Sequence, residues 1–366
     1  MRTVLVTIVF PAVLLLRCLS AGPAGGPSLN DQLLRVVGYG DAAAVEQLLQ
    51  KGANIEAKDQ DGQTPLIQAA SKGNTAVLKL LLGKGADVEA RDNESHTALS
   101  KAAEHDNTEV VTLLLGKGAN VADKDQYGYT ALITAASYGS SQVAKLLLEK
   151  GANIEDKCVG DYTPLIRAAN DGNTDVVRLL LDKGANIEAK DIDGYTALVG
   201  AAFQGKLEVV KLLLAKGADI EARNKHGETA LLATAQPERF EVSKLLLEKG
   251  AGIEDKDEYA CTALDLAACH GAVGLVELLL AKGARIDVRD AWGHTPLMRA
   301  VGCNINQPYW YNAKADWDKV YDVVKLLIDK GAHVQAKANN GDTALSMAIR
   351  SKNTKLVTLL REKGAR

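Results

Sequence analysis

Residues 64–96 read TPLIQAASKGNTAVLKLLLGKGADVEARDNESH. Thr64 is a natural helix N-cap, and Pro65 takes the first helical position, where its missing N–H costs nothing. Leu66, Ala69 and Ala70 give a short helix a buried stripe, and Gly73 permits the left-handed turn that ends it. Thr75 opens a second helix over residues 76–83, with Val77, Leu80 and Leu81 expected to face inward and Gly85 to end it. The segment before the block, residues 53–63, reads as extended chain with a turn at Asp61-Gly62. Neither helix is long enough to bury its own apolar face.

The block repeats. Lys-Gly-Ala begins at Lys51, Lys84, Lys117, Lys150, Lys183, Lys216, Lys249 and Lys282, at intervals of 33, then at Lys330 after 48 and at Lys363 after 33 again. A second marker, Thr-Pro/Ala-Leu, begins at Thr64, Thr97, Thr130, Thr163, Thr196, Thr229, Thr262, Thr295 and Thr343. Two independent markers with one period mean a stacked array, in which each unit completes its core against its neighbours. The fold class is therefore an all-α repeat solenoid of helix-turn-helix units. The interval of 48 contains a 15-residue insertion within about residues 302–319.

The pattern resembles the ankyrin repeat, best at Thr64-Pro65-Leu66, Thr163-Pro164-Leu165 and Thr295-Pro296-Leu297. The family's histidine is replaced by Ile67, Ile166, Val199 and Met298 at the corresponding positions. The resemblance covers about residues 29–366 and implies stacked helix pairs joined by β-hairpin loops. Nine units carry the Thr marker; residues 29–53 lack it and read as the N-terminal cap, and residues 340–366 as the C-terminal one. It also implies a binding surface like a cupped hand, made by the hairpin tips and the exposed side of the first helices.

The aromatics follow that surface. Only 4% of the 366 residues are aromatic, so the core must be built from Ala, Leu and Val. Tyr39, Tyr127, Tyr129, Tyr138, Tyr162, Tyr195, Phe203, Tyr259 and Trp292 fall at tip or first-helix positions, while Phe240 and Tyr321 share a framework position at the start of a second helix. Tyr309, Trp310, Tyr311 and Trp317 belong to the insertion. The partner-binding candidates are Tyr127, Tyr129, Tyr138, Tyr162, Tyr195, Phe203, Tyr259 and Trp292 with these four insertion rings, because Tyr and Trp present large area with few rotors. The competing reading makes Tyr129, Tyr162 and Tyr195 a structural ladder of stacked rings, and the insertion rings a cover for the end of the array.

Other chemistry finds little footing. The net charge of -3 argues against a nucleic-acid partner held by a basic surface. No nucleophile elbow, phosphate loop or His-Glu-x-x-His occurs, so no catalytic residue, cofactor or metal is expected. Recurring pairs such as Glu56/Lys58, Glu155/Lys157 and Glu188/Lys190 read as a solvated ladder of alternating sign. Cys261, Cys269, His270, His294 and Cys303 cluster in two units; small side chains packed between helices is the preferred reading over a metal site or disulfide, with Cys269 and Cys303 left open.

Residues 4–16 form an apolar run followed by small residues, which predicts an export leader over residues 1–21 and a short linker over 22–28. The run is too short for a membrane span. The expectation is a non-catalytic, secreted or periplasmic protein that grips a protein or peptide on a concave, aromatic-rich face. The alternatives are a cytosolic scaffold with its N-terminus retained, a regulator of a partner enzyme, and a glycan or small-ligand binder using the rings as a platform.

Overall fold

A computed structural model describes residues 26–302 and 317–366. The expected leader and the insertion rings Tyr309, Trp310 and Tyr311 lie outside the described residues. The chain divides into two compact units, Met1–Ala98 and Leu99–Arg366.

The first unit is two helix pairs, Leu29–Tyr39 with Ala42–Gln50 and Pro65–Ser71 with Thr75–Gly83. Ser28 replaces the missing Thr marker: its hydroxyl accepts from the Asp31 backbone N–H while the Asp31 carboxylate accepts from the Ser28 N–H. Leu33, Val37, Val45 and Leu48 are buried, each contributing roughly 1.5–3 kcal/mol. In the helix Thr75–Gly83 the buried stripe is Val77, Leu78, Leu81 and Leu82 rather than Val77, Leu80 and Leu81. The correction is physical: a second helix packs both on its own first helix and on the neighbouring second helix, so it needs two adjacent residues per turn.

In the second unit the second helices form an unbroken row: Thr108–Gly116, Ser141–Glu149, Thr174–Asp182, Leu207–Ala215, Phe240–Glu248, Val273–Ala281, Trp317–Asp329 and Thr354–Glu362. The first helices Ala131–Tyr138, Pro164–Asp171, Ala197–Phe203, Ala230–Ala233, Ala263–Cys269, Pro296–Gly302 and Ala344–Arg350 form a second row against it. Thr130, Thr163, Thr196, Thr229 and Thr262 cap their helices by accepting from the backbone N–H three residues on. The paired alanines are fully buried where the rows approach, as at Ala135 and Ala136 or Ala168 and Ala169.

The hairpin loops contain no strand among the described residues. Two backbone bonds close the loop at Asp191, from its N–H to the Tyr195 carbonyl at 3.1 Å and from the Gly194 N–H to its carbonyl at 3.0 Å, and one joins its tip to the next, from Lys225 N–H to the Asp193 carbonyl at 2.9 Å. A single bond per neighbour makes a stacked turn, not a ladder. Gly194 permits that approach: its φ is +83°, and a Cβ there would meet the Lys225 nitrogen at 2.9 Å.

The recurring charges do more than solvate the surface. Glu155, Glu188, Glu221 and Glu254 each accept from a backbone N–H 31 residues on, at 2.7–2.8 Å. Lys124, Lys190, Arg223 and Lys256 each donate to a backbone carbonyl 33 residues on, at 2.8–3.2 Å. The alternating pairs are therefore clamps from one unit to the next, worth more than exposed ion pairs because a charged partner strengthens each bond.

Candidate functional site

Tyr127, Tyr138, Phe203, Tyr259, Trp292 and Trp317 are exposed, whereas Tyr129, Tyr162 and Tyr195 are half-buried. Tyr129 and Tyr162 do not stack on each other. The Arg167 guanidinium lies between them, 5.2 Å from the Tyr129 centroid and 4.3 Å from that of Tyr162, a cation–π sandwich. Burial pushes the Tyr129 hydroxyl up to about 12. Tyr195 meets Phe203 edge to face at 6.2 Å and donates to Glu228 Oε2 at 3.3 Å. Tyr259 stacks on Trp292 at 5.5 Å, and Arg299 lies 5.5 Å from the Trp292 centroid. Trp317 opens the 13-residue helix Trp317–Asp329 rather than standing in a loop.

Between the Tyr195–Phe203 pair and Tyr259 a cleft of about 310 Å³ opens, with Glu228, Asp257 and Glu258 among its polar lining. Its origin is local. The first helix here stops after Ala230–Ala233, four residues where the preceding one, Ala197–Phe203, has seven. Pro237 causes the stop: it disfavours helical geometry in the residue before it, and Gln236 is extended at φ −119°, ψ 151°. The chain returns through a 3-10 turn, Pro237–Arg239. Ser243, fully buried in the following helix, satisfies the broken end by donating to Thr234, whose carbonyl and hydroxyl lie at 3.1 and 2.9 Å. His270 closes the floor with Nδ1 2.9 Å from the Ala235 carbonyl, and burial holds its pKa below the usual histidine value.

A family model described as "Ankyrin repeats (3 copies)" matches residues 33–125, 93–158, 119–191, 156–224 and 198–290, which together run over most of the chain. The chain belongs to the ankyrin repeat family. Among solved structures, the crystal structure of the human ASB11 ankyrin repeat domain is similar, with a TM-score of 0.56 and 28% identity, covering 60% of this chain and 98% of that one. A comparison with curated proteins returned no match. In this ankyrin array the family's histidine position is apolar core: Ile67, Ile166, Val199 and Met298 are all buried.

The cysteine and histidine cluster of the array does not converge on one point. Cys261 is buried against the Arg299 guanidinium, and burial pushes its thiol up to about 12, which makes it inert. His294 pairs with Asp290 at 3.1 Å. Cys269 is disulfide-bonded, its partner lying outside the described residues, so the expectation of small packed thiols is corrected there. Cys303 lies outside the described residues. The sequence reading also missed the cleft, although Pro237 inside a first helix was a visible signal.

Proposed function

We propose that this ankyrin array is a non-catalytic module that binds a protein or peptide partner on the ring-bearing face of its second unit. The carrying observation is that Tyr127, Tyr138, Phe203, Tyr259 and Trp292 stay exposed in a protein that builds its core without rings. Large apolar side chains kept at recurring positions outside a core mark contact area. The family's common role as a protein-interaction module supports the same reading. Among the described residues no cluster of carboxylate, histidine or cysteine groups is arranged to hold a metal, and no helix is long and apolar enough to cross a membrane.

The test begins with affinity capture from the native host and identification of the partner by mass spectrometry. Tyr138→Ala and Trp292→Ala should then each weaken binding by about 1–3 kcal/mol with little change in melting temperature. Phe240→Ala is the control, because its half-buried ring packs 3.6 Å from where a Cβ on Gly274 would stand. That variant should melt earlier and bind normally once folded. Ring variants that bind normally and unfold early would overturn the proposal.

We infer further that the protein is exported, to a secreted or periplasmic location. The apolar run at residues 4–16 supports this, and so does the disulfide at Cys269, since disulfides persist in oxidising compartments. N-terminal sequencing of protein from the native host checks it: a start near residue 21 or 22 is expected, and a start at Met1 would make the chain a cytosolic scaffold.

A further inference from the structure

In one repeat the ankyrin array places its own cation between a ring and a turn carboxylate, and at the cleft the matching ring and carboxylate receive none from that position. In the unit that begins at Thr295, the turn carboxylate Asp290 accepts backbone bonds from Trp292 and His294 through Oδ1. Its Oδ2 pairs with Arg299 Nε at 3.0 Å, and the same guanidinium lies over Trp292. Arg299 stands four residues after Thr295. In the unit that begins at Thr64, Gln68 stands at that position and donates to Asp59 Oδ2 at 2.7 Å. In the unit that begins at Thr163, Arg167 stands there and bridges the rings Tyr162 and Tyr129 of two successive units.

The unit that begins at Thr262 has the same ring and the same carboxylate, Tyr259 and Asp257, at the positions of Trp292 and Asp290. Asp257 Oδ1 accepts from the Tyr259 and Cys261 backbone N–H groups at 2.9 and 2.8 Å. Four residues after Thr262 stands Leu266, whose side chain carries no donor, and among the described residues no side chain donates to Asp257 Oδ2. By the register of Arg167, a cation here would bridge this unit and the one before it. The side chain at the matching place in that unit is Glu228, which also lines the cleft. The rings Tyr195, Phe203 and Tyr259 and the carboxylate Glu258, which pairs with His226 at 2.7 Å, also line the cleft, and no Lys or Arg is among its lining residues. Burial raises the Asp257 pKa above the usual carboxylate value despite the backbone bonds from Cys261 and Tyr259 and the Arg299 charge next door, and the charge of Glu228 adds to the rise. The donors on Glu228 Oε2 are both neutral, Asn224 Nδ2 at 2.7 Å and the Tyr195 hydroxyl at 3.3 Å.

Resting on the protein-binding reading above, we propose that the cleft is the anchor site for one arginine side chain of the partner. The guanidinium occupies the place that Arg299 fills one unit later, between Asp257 and Glu228 and against the ring of Tyr259. Arginine fits better than lysine because a planar fork both stacks on a ring and forms two parallel bonds to carboxylates. Among the described residues the second unit places Arg167, Arg239 and Arg299, all arginines, over rings.

The experiment titrates the full chain with three capped pentapeptides, glycine-flanked around arginine, lysine or citrulline, and follows backbone amide resonances by NMR. Citrulline keeps the shape of arginine and removes its charge. The arginine peptide should shift resonances of the cleft residues and bind about tenfold or more tighter than the citrulline peptide. Lysine should fall between them. Asp257→Asn and Glu228→Gln keep the local hydrogen-bond acceptors and should each remove most of that preference while the melting temperature holds. Equal response to arginine and citrulline, shifts that map away from the cleft, or no arginine response at millimolar peptide would overturn the proposal. Failure here is separable from failure of the wider reading: Tyr127 and Tyr138 lie outside the cleft. A partner that loses affinity for their alanine variants but not for Asp257→Asn leaves the protein-binding face standing and removes only the arginine anchor.

Discussion

Among single residues, Asp265 carries the most unusual burden. Its side chain is fully buried, with Oδ2 accepting from the Thr262 N–H and hydroxyl at 2.8 Å each and Oδ1 without a partner. Burial raises its pKa from 3.8 to about 6, despite those bonds and the nearby Arg299. The folded protein thus holds a proton that the unfolded chain has released. Its contribution is complete below about pH 4 and is lost as the pH rises through about 6, a loss on the order of 3 kcal/mol. Asp265→Asn keeps an acceptor for Thr262 and removes the ionisation. The variant should therefore gain on the native protein between pH 4 and pH 6.5 in urea midpoints, and the gap should be constant above that range. A gap that does not vary with pH would mean that Asp265 titrates alike in the folded and the unfolded chain. Nothing in the sequence distinguished this aspartate from dozens of solvated carboxylates, since burial is a property of where the stack closes. The rings are a mixed case. Their repeat positions were legible, but which rings a local cation covers depends on one residue, such as Arg167, whose reach across units no single repeat displays.

At the scale of one element, the four-residue helix Ala230–Ala233 tests whether the break that opens the cleft is a built feature. A helix cut short leaves carbonyl groups that need donors. Ser243 supplies one to Thr234, whose hydroxyl in turn donates to the Leu231 carbonyl at 2.8 Å. The matching residue of the preceding second helix is Val210, fully buried. Ser243→Val restores the repeat's usual side chain and so looks conservative in sequence, yet it leaves buried polar groups unpaired. It should destabilise the array by about 1–3 kcal/mol, read as a lower urea midpoint at unchanged slope. The reverse change, Val210→Ser, should also destabilise, because it replaces a fully buried apolar side chain by a smaller polar one. If Ser243→Val is neutral or stabilising, the network is incidental. The starts of the Thr-marked first helices, by contrast, were legible, because a Thr cap and a Pro or Ala after it act within four residues. The inter-unit clamps of Glu155 or Lys190 were not, because their partners stand 31 and 33 residues away and the period shows only that a residue recurs, not what it touches.

At the scale of the whole molecule, stability follows from the fact that, within each compact unit, helix pairs lean on their neighbours. The array period was legible from two short markers because a nearest-neighbour architecture forces every unit to present the same contacts. That architecture also makes the ends special. In the first unit, the helices Leu29–Tyr39 and Ala42–Gln50 pack on Pro65–Ser71 and Thr75–Gly83 respectively. They hold Leu33, Val37, Val45 and Leu48 in a core shared with Ile67, Ala70, Val77 and Leu81. They also present a polar exterior that includes Asp31, Gln32 and Arg35. Deleting residues 29–53 should expose the apolar side of the next helix pair to water without altering the folds beyond it. The truncated protein should keep most of its helical circular dichroism per residue. It should bind a hydrophobic dye, self-associate in a concentration-dependent way, and lose its first helix pair at lower denaturant than the rest, giving a biphasic transition. Because the coupling between units decays along a stack, ring variants such as Trp292→Ala should show the same binding deficit in the truncated and intact proteins. A truncation that remains monomeric, binds no dye and melts with the parent would show that residues 29–53 do not cap the array and that the second helix pair closes its own core.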